Sequence, residues 1–216
     1  AKQAPRSSLI RVNGIDTPDF ASDLELLEQL RPAGAVLPKS ESASALRAFA
    51  ARLRARAPGT QLVILIESFA GLRSLPELIA VEGVNAVGLG LEDMLSDHPW
   101  AVEATPLLVN EVRLRLVLEA RARGLLCIDT ISVEVKDQDR IDAECRLGKS
   151  CGMDAKFSIH PLQVPVINRC FSASATEISQ AESILAACSV PEQAGYGRVA
   201  GQILSPPKVK KALRII

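Results

Sequence analysis

Leu62-Val63-Ile64-Leu65-Ile66-Glu67-Ser68 is a run of aliphatic side chains that stops on a carboxylate. A strand with one face in water alternates apolar and polar residues. An unbroken apolar run is the pattern of a strand covered on both faces, as in a parallel sheet. The same reading extends outward to residues 9–12, 34–38, 86–91, 125–128 and 155–159. Between these runs lie longer, charged segments with helical spacing. Residues 42–56 place Leu46, Phe49, Ala50 and Leu53 on one face and end at Pro58-Gly59. Residues 105–123 do the same with Leu108, Val109, Val112, Leu116 and Ala120, ending at Gly124. Residues 138–148 and 176–188 are shorter helices of the same kind. Strand then helix, repeated, specifies β/α units.

Polar residues follow the strands: Arg11 and Asn13, Lys39 and Glu41, Glu67, Glu92 and Asp93, Asp129, His160. In a β/α barrel every strand end opens onto one face, and the site is built there. In an open doubly wound sheet the site sits only at the switch point. The expectation is therefore an α/β fold of the (β/α)8 TIM-barrel type. Only six strands are legible, so the chain is expected to lack the first two. Residues 1–189 are read as strands 3–8 of the barrel. Residues 190–216 are read as a tail with a turn at 195–197 and a basic helix at 207–216, packing on the barrel or on a neighbouring subunit.

Composition narrows the function. The 216 residues carry 25 basic and 25 acidic side chains and are 48% apolar. Zero net charge argues against a nucleic-acid partner. No apolar run approaches the roughly 18–20 residues of a membrane span, so no membrane partner is expected. Five cysteines without a C-x-x-C pair fit reduced thiols and a cytoplasmic location. With only two histidines, a metal has to be held mainly by carboxylates, which suits Mg²⁺.

Glu67 and Asp93 each follow a buried strand, and adjacent barrel strands bring them to one spot. Two carboxylates completed by waters and substrate oxygens are a usual Mg²⁺ site; the alternative is a pair of acids favoured at helix N-termini. Glu92 is the neighbouring alternative to Asp93. Arg11 is either a surface ion pair or a planar cation gripping a carboxylate or a developing oxyanion. Lys39 and Glu41 are either a salt bridge on the rim or substrate contacts. Gly88 and Gly90 suggest a close approach of ligand to backbone. His160 is an acid/base group or a hydrogen-bonding positioner. Trp100 belongs to a lid loop or an oligomer contact, and the cysteines are read as buried spectators.

Six motifs stand in order: Ile-Arg-Val-Asn (10–13), Val-Leu-Pro-Lys-Ser-Glu-Ser (36–42), Leu-Ile-Glu-Ser (65–68), Gly-Leu-Gly-Leu-Glu-Asp (88–93), Ile-Asp-Thr (128–130) and Ser-Ile-His-Pro-Leu-Gln (158–163). With Val-Ile-Asn (166–168) they resemble the HpcH/HpaI aldolase and citrate lyase beta-chain family, on its citrate-lyase-beta-like side. The resemblance implies a homo-oligomeric barrel, a trimer or hexamer. It implies Mg²⁺ on Glu67 and Asp93, with Glu67 and Arg11 catalytic. Arg11, Lys39, Glu41 and His160 are the implied substrate-binding residues. The implied reaction is lyase cleavage of a citryl-, malyl- or citramalyl-CoA-like acyl-CoA thioester. Its products are an acyl-CoA and a keto acid, formed through a metal-stabilised enolate. Two alternatives stay open: a class II aldolase acting on a free hydroxy-keto acid, and a non-catalytic acyl-CoA-binding paralogue. Two features depart from the family. Its first two strands, with a substrate-binding Arg and an acidic motif, have no counterpart here. Ser205, in Gly-Gln-Ile-Leu-Ser-Pro-Pro (201–207), stands where many members carry an acid/base Asp.

Overall fold

The computed structural model describes residues 8–96, 106–187, 197–199 and 202–216. Trp100, Cys188 and most of the turn expected at 195–197 lie outside the described residues. The chain divides into two compact units, Ala1–Cys170 and Phe171–Ile216.

In the first unit β1 (Leu9–Arg11), β2 (Gly34–Leu37), β3 (Gln61–Ile66), β4 (Val84–Leu89), β5 (Leu126–Asp129) and β6 (Ala155–Lys156) form one sheet in sequential order. Every neighbouring pair is parallel. Because the order never reverses, the sheet has no switch point of the doubly wound kind. It is a curled, parallel half-barrel of six strands. All six apolar runs form strands. The fourth ends sooner than its run suggested, where Leu91 opens a helix, and of the sixth run, 155–159, only Ala155–Lys156 is strand.

Among the described residues eight helices accompany the strands: α1 (Phe20–Leu30), α2 (Ala43–Arg56), α3 (Phe69–Arg73), α4 (Leu75–Leu78), α5 (Leu91–Ser96), α6 (Pro106–Ala122), α7 (Gln138–Cys151) and α8 (Val164–Phe171). Their starts are chemically marked. Ser42, Ser68 and Asp137 accept backbone N–H bonds from the first turns of α2, α3 and α7, each such cap being worth about 1 kcal/mol. Helix α7 runs beyond the end expected at residue 148. Gly148 is not its terminator; a Cβ there would lie 2.6 Å from Asp129 Oδ2. The helix stops at Gly152, with φ 99°.

Strand parity assigns the two faces. Val36, Val63, Leu65 and Ala86, with Ile128 and Phe157 packed on them, form the inner cluster. Alternate residues such as Leu37, Ile64, Ile66, Val87 and Cys127 are also buried and have the opposite parity, which faces the helices. Where β3 meets β4 the register shifts between Leu62 and Val63. Asn85 Oδ1 accepts the Leu62 N–H there at 2.8 Å.

Asp129 was grouped with the strand-end candidates, and parity corrects that reading. It shares the helix-facing parity of Cys127 and is fully buried. Arg113 Nε donates to its Oδ1 at 2.8 Å, and Lys156 Nζ lies 3.3 Å from its Oδ2 and 3.7 Å from Glu144 Oε2. Arg113 lies on the apolar face of α6, and this ion network explains its burial. Removing one member of such a network strands the others without compensation.

The second unit comprises α9 (Ala175–Ala186), an antiparallel hairpin of β7 (Gly197–Val199) and β8 (Gln202–Leu204), and α10 (Pro206–Ile215). Ser174 and Glu177 close α9 with a reciprocal capping box. Ala181 on α9 and Val209 and Ala212 on α10 are buried where the two helices pack. Ser205 takes the N-cap position of α10 without a side-chain capping bond. Among the described residues no helix is long and apolar enough to cross a membrane.

Candidate functional site

A cavity of about 330 Å³ opens at the C-terminal ends of the strands. Its charge comes from Arg11, Glu67, Glu92 and Asp93, and its apolar wall from Leu65, Leu89, Ile131 and Phe157. The inner parity that buries Val63 and Leu65 carries on to Glu67. On β4 the same alternation passes through Ala86 and Gly88 to Gly90, and on β5 through Ile128 to Thr130. Arg11 pairs in register with Val36 and therefore also points inward.

Glu67 is the centre of the arrangement. Its side chain is only 5% exposed. Oε2 accepts the backbone N–H of Lys39 at 2.8 Å, and Oε1 lies 3.9 Å from Arg11 Nη2. Burial raises the carboxyl above the ordinary 4.5, against the opposing pull of the Lys39 N–H and Arg11; the charge of Asp93 pushes it up further. Glu67 and Asp93 both line this cavity.

Both glycines are closely packed by neighbouring side chains. A Cβ on Gly90 would come 2.4 Å from Glu67 Cγ, and one on Gly88 would meet Phe157 and Leu65 at 2.6 and 2.7 Å. Both make room for neighbouring side chains, and Gly90 also lines the cavity. Gly90 is what lets Glu67 lie across β4.

Lys39 contributes through its backbone. It is held at φ 48°, a left-handed conformation costing a non-glycine residue about 1–2 kcal/mol, and its N–H thereby reaches Glu67. Among the described residues Lys39 and Glu41 make no ion pair with each other, which corrects the rim salt bridge. Glu41 Oε1 instead accepts the hydroxyl of Ser68, the residue that caps α3. His160 is exposed and does not line the cavity. Its Nδ1 accepts the Leu162 N–H at 3.2 Å and caps the 3-10 turn Pro161–Gln163. Of the sequence candidates, the structure gathers Arg11, Glu67, Asp93 and Glu92 and leaves the side chains of Glu41 and His160 outside the wall.

Two functional-looking residues escaped the sequence reading. Thr130 Oγ1 accepts the Leu91 N–H at 3.2 Å, anchoring the first turn of α5 that carries Glu92 and Asp93. Its inner parity, two residues beyond Ile128, was the available signal. Gln163 is fully buried and bridges two loops; its place in Ser-Ile-His-Pro-Leu-Gln drew attention to the histidine instead. Four cysteines, Cys127, Cys145, Cys151 and Cys170, are free, and burial pushes the Cys127 and Cys145 thiols up to about 11.

Among the described residues no group of three or more His, Cys, Asp or Glu side chains converges as a ready-made metal cage. The donor set is a carboxylate pair, Glu67 and Asp93, on a cavity with room for water and substrate oxygens. That set fits a hard divalent cation such as Mg²⁺, which keeps several waters or ligand oxygens.

Residues 1–161 match the model of the HpcH/HpaI aldolase/citrate lyase family, and the chain belongs to that family. It is 30% identical over 192 residues to a (3S)-malyl-CoA thioesterase of Cereibacter sphaeroides, covering 89% of this chain and 66% of that protein. The chain thus spans just under two thirds of that relative's length. A citrate lyase subunit beta-like protein of Deinococcus radiodurans is 27% identical, with 96% of this chain and 73% of that protein covered. The Mycobacterium tuberculosis protein CitE, solved with magnesium, acetoacetate and coenzyme A, superposes with a TM-score of 0.70 at 25% identity, covering 96% of this chain and 76% of that one.

Proposed function

We propose that the chain carries the site of a Mg²⁺-dependent carbon–carbon lyase acting on a 3-hydroxyacyl-CoA of the citryl-, malyl- or citramalyl-CoA type. The observation that carries this reading is the buried Glu67 carboxylate, gripped by the Lys39 N–H and facing Arg11 and Asp93 in one cavity. The magnesium in the CitE relative supports the choice of ion. Its coenzyme A, and the malyl-CoA thioesterase relative, support the thioester.

In the proposed reaction the bond between the hydroxyl-bearing carbon and the carbon next to the thioester breaks. The hydroxyl proton leaves, its oxygen becomes the keto oxygen, and the bonding pair moves into the thioester enolate, which then takes a proton. Glu67 and Asp93 would hold the ion, whose chemistry is Lewis-acid polarisation of the hydroxyl and keto oxygens. Arg11 grips the acid end of the substrate and faces the charge that develops, work for which a planar fork suits better than an ammonium. The wall of Leu65, Leu89 and Phe157 keeps water away and strengthens those electrostatic contacts. The complete assembly proposed is an eight-stranded barrel in a cytoplasmic homo-oligomer.

The 30% identity to a thioesterase supports a second reading, hydrolysis of the same thioester. One panel tests both: malyl-CoA, citramalyl-CoA, citryl-CoA and a free hydroxy-keto acid, each with Mg²⁺ and with chelator. Released keto acid and free thiol are measured separately. Mg²⁺-dependent keto acid without thiol supports the lyase; thiol without keto acid supports hydrolysis. Turnover of the free acid alone supports the aldolase, and no turnover of any substrate supports the binding-only paralogue.

A further inference from the structure

Gln163 is fully buried on the 3-10 turn after β6, and its amide uses its whole hydrogen-bonding capacity. Nε2 donates to the carbonyls of Ser132 at 2.9 Å and Glu134 at 2.6 Å. Oε1 accepts the Ile159 N–H at 3.0 Å, and Ser158 Oγ lies at the same distance. One side chain therefore ties the loop after β5 to the loop after β6. Both loops line the cavity, through Ile131 on one and Ser158 and Ile159 on the other.

Apolar burial contributes little to holding these segments. Val133, Ile159 and Leu162 are each more than half exposed, so they forgo most of the roughly 1.5–3 kcal/mol that full burial of such a side chain supplies. The polar tie adds a fastening that burial at these three positions does not supply. Only an amide fits it. A carboxylate would lose both donors and set negative charge against two carbonyls, and an aliphatic chain would leave buried groups unpaired.

We infer that Gln163 is a positioning residue that fixes the β5–β6 wall of the cavity and so sets affinity for the organic ligand, while the ion site on β3 and α5 does not depend on it. This rests on the cavity being the substrate site proposed above. The test uses the full chain and its Gln163→Leu and Gln163→Glu variants. It measures Mg²⁺ affinity alone, oxaloacetate affinity with Mg²⁺ present, and amide hydrogen exchange. Both variants should bind oxaloacetate about tenfold or more weakly and exchange faster at 131–135 and 158–160. Mg²⁺ affinity should stay within about twofold, since no bond of Gln163 reaches Glu67 or Asp93. Faster exchange with unchanged oxaloacetate affinity, unchanged exchange, or parallel loss of Mg²⁺ would each overturn the inference. A wild-type chain that binds neither Mg²⁺ nor oxaloacetate would instead overturn the reading of the cavity, a failure seen before any variant is made.

Discussion

Replacing Gly90 with alanine adds one methyl group where the fold has no room for it. The new Cβ would stand 2.4 Å from Glu67 Cγ, 2.9 Å from Oε1 and 3.1 Å from Cδ. Carbon atoms settle about 3.5–4.0 Å apart, so one of the two must move by about an ångström or more. The backbone at Gly90 is outside the left-handed region, so alanine brings no conformational strain of its own. The side chain of Glu67 has to give way, and a shift of that size takes its 2.8 Å bond to Lys39 beyond hydrogen-bonding range. Overpacking of this kind costs about 1–3 kcal/mol, and displacing a reacting group by an ångström costs about 100-fold in rate. The assay is Mg²⁺ titration and turnover on the variant, with denaturant unfolding for stability. A double-mutant cycle supplies the control: in a Glu67→Ala background the stability cost of Gly90→Ala should fall towards zero. A folded Gly90→Ala variant with wild-type Mg²⁺ affinity and turnover would refute the placement of Glu67.

Glu67→Gln should abolish Mg²⁺ binding and leave the fold intact; unchanged affinity removes Glu67 from the ion site. Because burial raises the Glu67 carboxyl above 4.5, the folded state holds its proton to higher pH than the unfolded chain. Its contribution to stability is complete below about pH 4.5 and is lost as pH rises through the raised value. Mg²⁺ competes with that proton, so affinity should climb over the same interval in wild type, and a flat pH profile of ion affinity would contradict this. Arg11→Lys should lower turnover by about tenfold or more, for lack of a planar fork, measured as kcat/KM on the responding substrate. Asp129→Asn leaves Arg113 and Lys156 buried without their shared anion and should cost about 3–5 kcal/mol in denaturant unfolding; a loss below about 1 kcal/mol would show that the network is not closed to water.

The strands were legible because burial on both faces leaves a continuous apolar run, and all six runs form strands. Helices α2, α6, α7, α9 and α10 were legible through their spacing, whereas α1, with 11 residues, and α8, with 8, were not read from the sequence. The short α3, α4 and α5 were not, since four to six residues are too few for a helical period to declare itself. The β7–β8 hairpin, with three residues per strand, escaped for the same reason. In the candidate site, Arg11, Glu67 and Asp93 were legible as charges at or just beyond the ends of strands that read as apolar runs. Lys39 misled because its contribution is a backbone N–H, which no side-chain chemistry announces. The packing role of Gly90 was not legible because it is defined by Glu67, on a different strand. Gln163 was overshadowed by His160 because amides carry no titratable signal, although four polar contacts converge on it.

The alternation that sends Glu67 inward and Asp129 outward also governs how this chain can change its length. A single residue inserted within β5 would exchange the two faces, carrying Asp129 into the cavity beside Glu67 and turning Ile128 towards Arg113 and Lys156. The cavity's lining and the ionic fastening would be lost in one event. Loops beyond the strand ends carry no such parity, so natural length variation among homologous chains should gather after the strands and be nearly absent within them.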